Sequence, residues 1–67
     1  MDRGSIEDEL RRHFGPARAA LGSALSEVRA CFASSDCLAG VLREIGPGLA
    51  PERAILAWAI RRGELWR

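Results

Sequence analysis

Apolar residues recur along this chain at the three- and four-residue spacing of helices, in four segments punctuated by Gly, Pro and Ser. Ile6, Leu10 and Phe14 form a narrow stripe, which predicts a first helix over 6–14 packed on one side only. Ser5 with Asp8 resembles a capping box at its start. Glu7 with Arg11, Asp8 with Arg12 and Glu9 with His13 are i,i+4 pairs in the favourable orientation. Gly15-Pro16 predicts a stop and a restart, since Gly suits the left-handed C-terminal position and Pro the first helical one.

The second predicted helix, over 16–33, is the longest. Leu21, Leu25, Val28 and Phe32 fall within one arc, flanked by Ala17, Ala24 and Cys31, and define its expected core face. On the opposite side Gly22, Ser26 and Ala30 make a line of small residues that another helix backbone could approach closely. Ser35 is the expected cap of a third helix over 36–45, whose apolar face is Leu38, Val41, Leu42 and Ile45. Gly46-Pro47-Gly48 stops it, and Leu49 is a single apolar anchor in the loop that follows. Pro51 opens a last helix over 51–62, with Glu52 complementing its positive end and Gly63 ending or loosening it before the tail Glu64-Leu65-Trp66-Arg67.

Within that last helix, Ala54 to Ile60 contains no polar residue. At 100° per residue its apolar side chains cover more than half the circumference, and the polar ridge that remains is Arg53, Ala57 and Arg61. Such a helix must be buried on two sides. The expected fold is therefore a single all-α domain spanning 1–67, a compact bundle of four short helices with the second and fourth at its centre. If the other helices cover Ala54 to Ile60, Trp58 belongs to the core and binding falls to the tail at Trp66; if they fall short, the uncovered side is the binding face.

Length sharpens this, because 67 residues lie near the lower limit for a self-sufficient core, so self-association is expected. All ten basic residues are Arg, which pairs with carboxylates in a planar, bidentate way and stacks on aromatic rings. The net charge of +1 excludes a global field directed at nucleic acid or an anionic membrane. The longest apolar run is far short of the roughly 20 residues of a membrane span, and no basic-then-apolar leader is present, so a cytoplasmic protein is expected. Cys31 and Cys37 flank a predicted inter-helix turn, where a bond is conceivable; two half-buried, reduced thiols are the expected state.

Candidate chemistry is sparse. His13 is the only histidine and flanks an apolar stripe beside Glu9. Together with Cys31 and Cys37 it supplies three of the four ligands of a structural zinc, and no Gly-rich phosphate or oxyanion loop accompanies either cysteine. No catalytic, cofactor-binding or metal-binding residue, and no small-molecule substrate, is inferred.

Asp36-Cys37-Leu38, about midway along a four-helix chain, resembles the Asp-Ser-Leu of acyl carrier proteins, with Cys37 in place of the serine that carries phosphopantetheine. That resemblance implies a carrier-like or thiol-dependent protein acting through Cys37. Ile45-Gly46-Pro47-Gly48-Leu49, followed by Ala54 and Ile55, resembles a helix-hairpin-helix element, which implies phosphate contact at the turn, extended by Arg53 and Arg61.

The richest stretch is the C-terminal one: Trp58, Arg61, Arg62, Leu65, Trp66 and Arg67 bring both tryptophans together with three arginines, the residue types most enriched at interface hot spots. The expected function is a non-enzymatic protein-interaction or regulatory module, of the small bacterial accessory type, acting through the C-terminal helix and its Trp/Arg tail on a protein partner or a second copy, with a homodimer favoured.

Overall fold

The computed structural model describes residues 3–66 and contains four helices: α1 (Arg3–Phe14), α2 (Arg18–Phe32), α3 (Ser35–Glu44) and α4 (Pro51–Glu64). Their number and order are as predicted, and their ends differ in instructive ways. Helix α1 begins upstream of Ser5, so Ser5 lies inside it and is not its cap. Gly15 takes the left-handed conformation expected of it, at φ +55°. Pro16, however, lies in a tight turn, and the helix opens at Arg18 after Ala17, which provides no side-chain cap. Ser34, not Ser35, caps α3: its backbone is extended and its Oγ accepts the Cys37 N–H at 3.2 Å. Pro51 stands at the start of α4 as predicted, with Glu52 in the first turn.

Helices α2 and α4 pack together most broadly, α1 and α3 each lean on both, and α1 and α3 do not meet. The central contact is built from small residues. Ala20 and Ala24 of α2, and Ala59 and Gly63 of α4, are buried, whereas Leu21, Leu25 and Phe32 are only half-buried against the core. The buried face of α2 keeps Val28, Ala24 and Cys31 of the predicted face and shifts from its leucines toward Ala20, because short side chains are what let two helix backbones close up. The largest fully buried side chains are Phe14, Leu10, Ile55, Val28 and Cys31.

Gly63 is the closest point of this packing. It continues α4 instead of ending it, and a Cβ there would overlap the tip of the Phe14 ring and lie 3.1 Å from the Ala20 carbonyl oxygen. Three helices therefore meet at one hydrogen atom.

One charged side chain is drawn in with the core. Glu7 is 9 % exposed, and its carboxylate is met by Arg3 at 3.5 Å, Arg11 at 3.7 Å and Arg29 of α2 at 3.0 Å. Its pairing with Arg11 follows the sequence spacing; the strap to α2 does not. Glu7→Ala is expected to cost about 1.5 to 3 kcal/mol, the worth of a charge-assisted hydrogen bond at a buried acceptor. Urea unfolding followed by circular dichroism measures it, and an unchanged midpoint would show that the arginines are held elsewhere.

The radius of gyration, 11.0 Å, equals the about 11 Å of a compact domain of this length. Ala54 to Ile60 is covered within the chain: Ala54, Ile55 and Ala59 are fully buried, and Leu56, Ala57, Trp58 and Ile60 are half-buried.

Candidate functional site

Trp58 packs against the core as a half-buried side chain. The Arg62 guanidinium lies 5.2 Å from the Trp58 ring and at the same time pairs with Glu27 of α2 at 3.1 Å. Arg62 therefore bridges α4 to α2 and is held in place by a carboxylate and an indole. Arg61, one residue earlier, is exposed.

Beyond Glu64 the chain does not simply fall away. The Leu65 N–H donates to the Arg62 carbonyl at 3.3 Å and the Trp66 N–H to the Gly63 carbonyl at 2.9 Å, so both residues are carried on a last tight turn. On that turn Leu65 is 83 % and Trp66 63 % exposed. Buried Gly63 sits directly beneath them. Arg67 lies outside the described residues. The structure thus separates the six predicted contact residues: Trp58 is half-buried, Arg62 is exposed but pinned between Glu27 and Trp58, and Arg61, Leu65 and Trp66 face solvent. Gly22, Ser26 and Ala30 are exposed as well.

His13 is not held by Glu9. Its Nε2 is 3.1 Å from a carboxylate oxygen of Glu64 and its ring stands edge-on to Phe14, joining the end of α1 to the end of α4. Glu9 is taken by Arg12 at 2.6 Å, and Asp8 pairs with Arg11, not Arg12, at 3.3 Å. Among the described residues no group of three or more His, Cys, Asp or Glu side chains is placed to hold a metal ion.

The two cysteines are joined. A Cys31–Cys37 disulfide links the last turn of α2 to the first turn of α3, with Cα atoms 5.1 Å apart. This corrects the expectation of two reduced thiols. The turn around the Ser34 cap brings the two backbones to bonding distance, and geometry outweighs the argument from compartment.

In the Gly46-Pro47-Gly48 turn, Gly48 takes φ +85° and the Leu49 N–H donates to the Gly46 carbonyl at 2.8 Å. Leu49 is no anchor, being about half exposed. Arg53 lines a shallow cleft between α1 and α4 together with Ser5, Ile6, Glu9, Glu52 and Leu56, in acidic company. Among the described residues no helix is long and apolar enough to cross a membrane.

Comparison with protein-family models, with curated proteins and with solved structures returned no match. Sequence reasoning missed the packing role of Gly63 at this end of the molecule, and the strap from Glu7 to Arg29 farther along α1 and α2. For Gly63 a signal existed: it follows Ala59 by four residues, in line with the small residues of the α4 contact.

Proposed function

We propose that this protein is a non-enzymatic interaction module that self-associates as a homodimer through the C-terminal end of α4. The observation that carries this reading is the Leu65–Trp66 pair, two large apolar side chains side by side on an ordered turn and mostly open to solvent. An exposed indole next to a leucine is a poor use of surface in a monomer, and a fixed one loses little freedom on docking. The Arg62 carbonyl accepts the Leu65 N–H at the base of that turn, and exposed Arg61 adds a charged group to its rim. A cytoplasmic setting belongs to the same reading.

Trp66→Ala is the test. Because Trp66 contributes little to the core, the variant is expected to unfold within about 0.5 kcal/mol of the parent. Its self-association, followed by sedimentation equilibrium, is expected to weaken by about 2 kcal/mol, roughly thirtyfold in dissociation constant. Equal dissociation constants for parent and variant would remove the tail from the interface.

A further inference from the structure

We propose that the Cys31–Cys37 disulfide is a reversible redox clasp on α3, broken by a dithiol reductant through attack at Cys37, and that breaking it loosens α3 while α1, α2 and α4 stay packed. The two sulfurs differ in access. Cys31 is 1 % exposed and forms part of the core, whereas Cys37 is half-buried in the first turn of α3. An incoming thiolate therefore reaches the Cys37 sulfur.

The S–S bond to Cys31 breaks as a mixed disulfide forms on Cys37, and Cys31 leaves as a thiolate that takes up a proton. The second thiolate of the reductant then attacks its own sulfur in the mixed disulfide, closing the reductant's disulfide and releasing Cys37, which is protonated in turn. Two electrons and two protons pass from the dithiol to the protein. Reoxidation by a disulfide of the same class runs the steps backwards.

Helix α3 is the element this releases, because little else fixes it. Val41 is its one fully buried apolar residue, while Leu38, Leu42 and Ile45 at its end are half-buried. It does not meet α1, and among the described residues no ion pair ties it to another helix. The Gly46-Pro47-Gly48 turn behind it, with Gly48 at φ +85°, leaves the bond at its front as its one covalent brace.

Around α4, Arg62 faces α2 through Glu27, and Gly63 and Leu56 face α1 through Phe14 and Ile6. By helical position, Ala54 and Trp58 fall on the flank these contacts leave to α3. Loosening α3 uncovers that flank, a second apolar surface distinct from the Leu65–Trp66 turn.

Hydrogen exchange read by mass spectrometry, on the full chain with and without dithiothreitol, tests this. The reduced protein is expected to exchange the amides of α3 about tenfold faster or more, beyond the acceleration that the fall in global stability gives the amides of the other three helices. The Cys31→Ser/Cys37→Ser variant should behave like the reduced protein under both conditions, and in a Trp66→Phe background the Trp58 emission should shift to the red on reduction. In Cys31→Ser, Cys37 should react with an aromatic disulfide about tenfold faster or more than Cys31 does in Cys37→Ser. Unchanged α3 exchange, or equal acceleration in all four helices, would overturn the clasp; equal thiol reactivities would overturn the route through Cys37.

Discussion

Phe14→Ala is expected to lower the free energy of unfolding by about 3 to 5 kcal/mol. Its ring is fully buried where the end of α1, the start of α2 and the last turn of α4 converge, so its loss opens a cavity that three helices line. A domain of this length is stable by only roughly 3 to 10 kcal/mol, and the variant should be partly unfolded at room temperature. Urea denaturation followed by circular dichroism reads this directly. Gly63→Ala examines the same contact from the other side. In an open helix that change gains up to about 1 kcal/mol of helix propensity. Here the new Cβ meets the Phe14 ring and approaches the Ala20 carbonyl oxygen to 3.1 Å, so a net loss of about 1 to 2 kcal/mol is expected. Phe14→Leu combined with Gly63→Ala should cost less than the sum of the two single changes. A stabilised Gly63→Ala protein would show that the helices do not close at this point.

Reduction of the Cys31–Cys37 bond is expected to lower stability by about 2 kcal/mol, the unfolded-state entropy of so short a loop. For a domain of this size that is a fall of roughly 10 °C in the thermal midpoint. Differential scanning calorimetry with and without dithiothreitol measures it. The Cys31→Ser/Cys37→Ser variant should match the reduced protein and ignore the reductant. Coincident midpoints for oxidised and reduced protein would mean that the bond constrains nothing the fold does not already fix.

Much of this architecture was legible because helix signals are local. Pro51, Gly15 and the Gly46-Pro47-Gly48 turn act within a few residues of themselves, and they marked element boundaries that the structure shares to within a few positions. What was not legible depends on which helix faces which. Gly63 carries the signature of a stop, and only the Phe14 ring arriving from α1 makes it a packing residue. Glu7 reads as an exposed partner of Arg11 until Arg29 of α2 closes over it. The predicted face of α2 holds at Val28, Ala24 and Cys31, while Leu21, Leu25 and Phe32 settle at its margin because the tightest contact also takes Ala20. At the candidate site, the sequence marked the C-terminal segment but not which of its side chains are packed and which are open to solvent. Trp58 lies within α4 and packs on the core whereas Trp66 lies on the turn beyond it, and Arg62 differs from Arg61 in meeting Glu27 of α2.

The claim on which the rest depends is that α4 is satisfied within its own chain, leaving the apolar contact surface past its end at Trp66. Two single-tryptophan proteins, Trp58→Phe and Trp66→Phe, compared by acrylamide quenching of the remaining indole in dilute oxidised solution, test it most directly. The account predicts that Trp66 is quenched several-fold more readily than Trp58, and that its quenching declines as protein concentration rises and the tails pair. Quenching of Trp58 as strong as that of Trp66 would contradict it, because the face of α4 that the other helices are said to cover would then be open.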